Sequence, residues 1–326
     1  MTLQTYEHNN IHDMDAFANL RTYKCPIQTI DGHRILDQYA LVNEDGVPYP
    51  ARPVTAGYKL VPHLDMYRSQ ANRLAASDLP THNVTVIDTV IDGGLRATRE
   101  IRFNELRLDM PLRDGSSDGM VARMDTINSI DQSWAFQAFA GAYRAYCRNM
   151  QVFGGQKVYH ARRKHTRNLS PEAITQNSII GLSTFHANRD LFDRYRTITL
   201  RRDEWRDIME ETLCRKTGRG ASATTDDQSR VNISLLGQMM ARFDEESQEL
   251  GETMWTGYNA LTAWSTHVTE KREFETTDSD GNPRIGSNRV RTSADRVPHV
   301  QLQRQQKVRD VLESAAWQSR LELAAA

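Results

Sequence analysis

The chain has 326 residues, 41 Lys plus Arg against 42 Asp plus Glu, and is 39 % hydrophobic with 8 % aromatic residues. That is too aromatic for a disordered chain and long enough for a large core, and the near-neutral balance means that any basic surface is offset elsewhere. The three cysteines, Cys25, Cys147 and Cys214, are far apart and odd in number, which excludes a disulfide framework and a paired zinc-ligand spacing and suits a reducing compartment. The start MTLQTYEHNN has no basic residues leading into an apolar run, and no window approaches the ~20 apolar residues of a membrane span, so a soluble, unexported protein is expected.

Residues 1 to 30 carry little pattern. Tyr39 to Val42, the turn Asn43-Glu44-Asp45-Gly46 and Val47 to Tyr49 read as a short hairpin, and Gly57 to Val61 reads as extended up to Pro62. Leu64, Tyr67, Ala71, Leu74 and Ala75 recur at helical spacing, with His63 at the helix start in a structural role. Val84 to Ile91 and Leu95 to Phe103 flank Asp92-Gly93-Gly94, a hairpin whose second strand puts Leu95, Ala97, Ile101 and Phe103 on one face and Arg96, Thr98, Glu100 and Arg102 on the other. Met120 to Ser129 alternates as a third strand.

From Ser133 to Met150 the spacing of Phe136, Phe139, Tyr143, Tyr146 and Met150 predicts a helix, capped by Ser133 or Asp131 and ended by Gly154-Gly155. Helical periodicity returns over Pro171 to Ala187, Arg201 to Lys216, Val231 to Glu249, Thr253 to Lys271 and about Val300 to Leu323; Thr217 to Ser229 reads as a mobile loop. The expected fold is α+β, an antiparallel sheet (β-hairpin plus third strand) packed by a long helix, with a mostly helical C-terminal half. The expected organisation is a lead-in over 1–30, one core domain over 31–275, a flexible linker over 276–299 and a C-terminal helix over 300–326.

Charge is segregated. Gln132 to Pro171 runs forty residues without Asp or Glu and collects Arg144, Arg148, Lys157, Arg162, Arg163, Lys164 and Arg167, with His165, beside Trp134, Phe136, Phe139, Tyr143 and Tyr146. Cationic side chains beside aromatic rings suit a polyanion, the cations on phosphates and the rings on bases. A solvated loop for Arg162 to Arg167 and core packing for the rings is the competing reading. A second basic segment, Arg284 to Arg309, suits a contact that folds on binding or a solvated helix face. Catalytic patterns are scarce: Gly154-Gly155-Gln156-Lys157 lacks the spacing of a phosphate-cradling loop, His160 and His165 have no acidic partner nearby, and Asp226-Asp227 or Asp244-Glu245-Glu246 have no specific nuclease spacing. Asn128, Ser129 and Asp131 stand where a strand meets the expected helix, a place for caps or for a bound phosphate.

Four stretches in order resemble a family of phage and plasmid proteins, that of the domain of unknown function 932: Gly57-Tyr58-Lys59-Leu60-Val61, Asn128-Ser129-Ile130-Asp131 through Phe136, Tyr143-Arg144-Ala145-Tyr146-Cys147-Arg148-Asn149-Met150, and Thr253-Met254-Trp255 with Asn259-Ala260-Leu261-Thr262 and Thr266-His267. The chain departs from the family's pattern at Ile130, Gln132 and Tyr146, and the resemblance spans roughly residues 35 to 270. It implies a phage-related origin and thus the host cytoplasm. The order of hairpin, third strand and long helix is similar to the β-β-β-α core of single-strand annealing proteins of the Redβ, RecT and Erf type, which bind single-stranded DNA as rings or filaments.

The expected function is therefore a non-enzymatic, phage-encoded protein of DNA replication or recombination that binds single-stranded DNA, with strand annealing as the activity the analogy suggests. Arg144, Arg148, Lys157, Arg162, Arg163, Lys164, His165 and Arg167 are the expected contacts. No cofactor, metal or membrane is expected; a homo-oligomer is, with host or phage replication proteins as further partners. The alternative is a protein-interaction factor, an inhibitor of a host enzyme or a scaffold, using the acidic helix around Asp244 to Glu249. A metal-dependent nuclease ranks third.

Overall fold

The structure is a computed structural model that describes residues 2–112, 115–144, 150–151, 160–165, 169–183, 185–215, 231–277, 282–287 and 297–323. It separates into two compact units: residues 1–107, 121–142 and 156–185 form the first, and 108–120, 143–155 and 186–326 the second. A sheet of seven strands, β1 (Leu3–His8), β4 (Val84–Ile91), β5 (Arg96–Pro111), β6 (Ser117–Ser129), β7 (Phe136–Arg144) and β8 (Met150–Gln151) in that order, with β9 (His160–Arg163) also on β7, organises the chain. The mixed α+β class expected from sequence is what the structure has, with helices mostly in the C-terminal half.

In the first unit the β4–β5 hairpin forms as the sequence predicts, closing through Asp92, Gly93 and Gly94, all at positive φ. Gly94 has a second reason to be glycine, because a Cβ there would stand 2.8 Å from Leu20 Cδ2. Ala97, Ile101 and Phe103 face the core, and so does Arg99, at register with Asp88 on β4. Both side chains are fully buried and joined by two 2.7 Å bonds, Nε to Oδ1 and Nη2 to Oδ2. Such a pair persists in a core only when every remaining donor is satisfied. The N-terminal segment supplies this: Arg99 donates to the carbonyls of Ile11 at 3.0 Å and Asp13 at 2.6 Å, His8 Nε2 meets Asp88 at 2.9 Å, and Phe17 lies under the guanidinium. The stretch read as an unpatterned lead-in thus contains a sheet strand, β1 paired with β4, and part of the core.

Helix α1 (His63–Ala75) packs on this sheet through Met66, Tyr67, Ala71 and Leu74, with the Tyr67 hydroxyl donating to Ala97 O at 3.0 Å. A separate two-stranded ribbon of β2 (Tyr23–Gln28) and β3 (Arg34–Val42) carries the expected Asn43–Val47 turn at its end, closed by the Val42–Pro48 bridge. Helix α2 (Pro171–Ser183) lies against α1.

The helix expected from Ser133 to Met150 is not formed. Phe136 to Arg144 is strand β7, and Asp131 accepts from Ser133 in a turn that leads into it rather than capping a helix. Phe136 to Ala142 is buried on both faces, and a strand covered on both sides shows a continuous apolar run in which helical spacings arise by chance. The β-β-β-α order fails with it, because a fourth strand stands in place of the helix.

The second unit is built around α6 (Met254–Thr266), buried from Met254 through Ser265 and in contact with α3 (Arg189–Thr197), α5 (Ile233–Leu250) and α7 (Val297–Leu312). Trp255 and Tyr258 stack at 5.2 Å and join Phe192, Tyr195 and Trp317 of α8 (Ala315–Leu323), while α4 (Arg202–Glu211) brings Trp205 onto Phe243 at 5.4 Å. Across the boundary expected between core (31–275) and linker (276–299), β10 (Glu273–Thr277) and β11 (Pro283–Ser287) pair as a hairpin whose Phe274 presses on α5. Only glycine fits beneath it: a Cβ on Gly237 would lie 2.6 Å from the Phe274 ring. Among the described residues no helix is long and apolar enough to cross a membrane. The mobile-loop expectation for Thr217 to Ser229 lies outside the described residues.

Candidate functional site

The most concentrated polar geometry of the first unit lies where the Gly57–Val61 and Asn128–Asp131 stretches meet. Asn128, at the end of β6 and fully buried, donates its amide to Val61 O at 3.2 Å and to His63 Nδ1 at 3.0 Å. His63 uses its other nitrogen as donor to Gly94 O at 2.9 Å, so its ring is the Nε2–H tautomer. Burial disfavours the imidazolium and outweighs that bond, lowering the His63 pKa to about 4. The Tyr58 hydroxyl donates to Ile130 O at 3.1 Å, and burial, reinforced by Asp131, pushes its pKa well up. Ser129 Oγ donates to Trp134 O and accepts from Trp134 N, each at 3.0 Å, which folds the β6–β7 turn back on itself. Arg96 holds Asp92 at 2.9 Å and Asp131 at 3.2 Å, and its guanidinium covers the Trp134 ring.

The basic stretch enters this junction from the other side. His165 is stacked on Tyr58 with ring centres 5.3 Å apart, donates Nδ1–H to Lys59 O at 3.2 Å and is 7 % exposed, and burial lowers its pKa. It is a packing residue, not a solvent-facing phosphate contact. Lys59 donates its backbone N–H to His165 O and its ammonium to Leu169 O at 2.7 Å. Among the described residues two buried acceptors of the junction, Asn128 Oδ1 and His165 Nε2, have no partner.

The other expected contacts separate. Arg144 closes β7, Arg162 and Arg163 lie on β9 opposite Gln137 and Phe136, and Lys164 is exposed just beyond and, among the described residues, makes no hydrogen bond or ion pair. Arg148, Lys157 and Arg167 lie outside the described residues, as do Gly154-Gly155 and Asp226-Asp227. Of the neighbouring rings, Trp134, Phe136 and Phe139 are buried core, which leaves them no face for a base. In the second basic segment Arg304 donates to Trp264 O at 2.7 Å and Arg309 is 2 % exposed, so both turn inward. The acidic face of α5 is partly neutralised, Asp244 by Arg202 at 2.7 Å and Glu245 by Arg272. Among the described residues no three His, Cys, Asp or Glu are grouped to hold a metal ion.

A family profile described as a domain of unknown function (DUF932) matches residues 53–309. The chain belongs to the DUF932 family. Tyr58, Lys59, Asn128, Ser129 and Asp131, read from the sequence as family motifs, are the residues that build the junction of this DUF932 protein. The motif from Thr253 to His267 is the buried helix α6 with its two caps. Sequence reading missed His63 and Arg96 as members of the junction, since His63 is held by the Gly94 carbonyl and by Asn128, and Arg96 reaches Asp131 35 positions away as well as Asp92 nearby. No curated protein and no solved structure matches the chain.

Proposed function

We propose that this is a phage-encoded protein of DNA metabolism that binds single-stranded DNA through the basic stretch on β9 and its exit. The observation that carries the reading is the forty-residue acid-free run, taken with the use the first unit makes of its own carboxylates. Asp88 is taken by Arg99, Asp92 and Asp131 by Arg96, Glu100 by Arg102 and Asp125 by Arg123. Those acids are spent on buried or half-buried arginines rather than on Lys164. The reading stops at binding, because the three-strand-and-helix order that suggested annealing is absent. Oligonucleotide affinity measured across a salt series should fall with a slope of about 0.7 per phosphate neutralised. Reversal of Arg162, Arg163 and Lys164 to Glu should weaken binding to all sequences alike; a triple variant that binds as the parent does at low salt refutes the assignment.

One observation favours a second reading, a protein-interaction factor. The β2–β3 ribbon exposes Ile30 at 106 % and Leu36 at 85 %, apolar side chains with nothing covering them. Nuclease-resistant capture of a single host protein, lost on Ile30→Ser and Leu36→Ser, together with no oligonucleotide binding, would select it.

A further inference from the structure

A cleft of about 300 Å³ opens in the first unit between the start of β2 and the first turn of α1. Arg21, Thr22 and Tyr23 form one wall, and Leu64, Asp65 and Arg68 the other. Arg21 and Arg68 are exposed and, among the described residues, make no hydrogen bond or ion pair. The cleft lies at the N-terminus of a 13-residue helix whose N-cap is Pro62, which supplies no side-chain cap, and Asp65 is the one acidic residue of its first turn. Independently, Thr22 is 4 % exposed and its hydroxyl has no partner. A buried hydroxyl without a partner costs free energy unless something supplies one.

We infer that this cleft holds a phosphodiester of a bound strand, with Arg21, Arg68 and Thr22 on the phosphate and Tyr23 under a base. Charge selects the diester. Two guanidiniums against the Asp65 carboxylate leave one net positive charge, which matches the single negative charge of a backbone phosphate. Tyr23 is 47 % exposed on the same wall and offers a ring face without the conformational cost of a longer side chain. Arg68 and Asp65 also line a second cleft of about 460 Å³ that continues along α1 to Arg73 and to Glu172, whose carboxylate accepts from Ser69 and Ser170. Arg73 is held there by Gln176, a neutral partner that leaves its charge intact.

This inference rests on the single-strand reading above, and the experiment separates the two. Full-length protein, R21A/R68A, Y23A, Y23F and R162E/R163E/K164E are titrated with a dT oligonucleotide, with the dinucleotide dTpdT and with inorganic phosphate, and thermal melts check folding. R21A/R68A should bind the oligonucleotide about tenfold or more weakly, with a salt slope lower by about 0.7 for the one phosphate lost. Y23A should weaken binding about tenfold and Y23F should not. The dinucleotide should bind the parent and not R21A/R68A. Oligonucleotide affinity that falls only in R162E/R163E/K164E overturns the cleft and leaves the strand reading standing. Dinucleotide bound through Arg21 and Arg68 with no binding of the longer oligonucleotide keeps the cleft and overturns the strand reading. Inorganic phosphate bound in preference to the dinucleotide overturns the diester assignment.

Discussion

Around Asn128 the polar atoms of the family's motifs reach carbonyls of other segments, whereas along α6 they bond within their own helix. Asn128 ties β6 to Val61 and His63, and Tyr58 ties the Gly57–Val61 stretch to the β6–β7 turn. On α6, Asn259 donates to Trp255 O at 2.8 Å, Thr262 to Asn259 O at 3.0 Å and Ser265 to Thr262 O at 2.9 Å. The first region is a joint, where polar side chains replace secondary structure in holding segments together. The second is a core helix, where polar groups are tolerated because the backbone one turn back satisfies them. The difference predicts that deletion of an apolar ring is most damaging in the second region and deletion of a single hydrogen bond most damaging in the first.

The largest effects should come from the buried rings and the buried ion pair. Trp255→Ala removes a stacked ring and should cost about 3–5 kcal/mol in chemical denaturation. Asp88→Ala strands the Arg99 guanidinium in the core and should cost a similar ~3–5 kcal/mol, which Asp88→Ala with Arg99→Met should partly restore.

Next comes acid. His63 has a folded pKa of about 4 and an ordinary value of 6.5. Between those values the unfolded chain binds the proton and the folded chain does not, so stability is complete above pH 6.5 and is lost as pH falls toward 4. The total loss should amount to on the order of 3 kcal/mol, with His165 adding in the same direction, and His63→Gln should remove its share. A parent and variant with parallel stability–pH curves would contradict the joint as drawn.

Smaller effects test the hydrogen bonds one at a time. Asn128→Ala leaves Val61 O and His63 Nδ1 without their donor and should cost about 1–3 kcal/mol. Tyr58→Phe should cost roughly 1 kcal/mol, and Thr262→Val on α6, whose acceptor keeps its helical bond, should cost less than that. Equal losses for Tyr58→Phe and Thr262→Val would erase the distinction between joint and core helix.

Elements with a single wet face were legible in the sequence. The alternation of Leu95 to Phe103 gave a strand, the DGG turn gave its hairpin with Val84 to Ile91, and the apolar spacing of Leu64 to Ala75 gave α1. Burial on both faces removed the contrast for Phe136 to Ala142, and a strand was read as a helix. The N-terminal segment was illegible for another reason: it is fixed by backbone carbonyls of Ile11 and Asp13 on Arg99, and carbonyls leave no trace in side-chain pattern. The junction was half legible. Tyr58, Asn128 and Asp131 stood out as motif residues, but the expected cap or phosphate site at a helix start was in fact a turn between two strands. The uncapped start of α1, with Arg21 and Arg68, carried no motif at all.

In the proposed reading the family's motif residues hold the fold while surface cations hold the strand, and a paired measurement of melting temperature and oligonucleotide affinity separates the two roles. Asn128→Ala should melt several degrees earlier and, measured well below that temperature, bind as the parent does; R162E/R163E/K164E should melt with the parent and lose binding. An Asn128→Ala protein that stays as stable as the parent yet no longer binds DNA would contradict the claim, since it would put the chemistry in the joint.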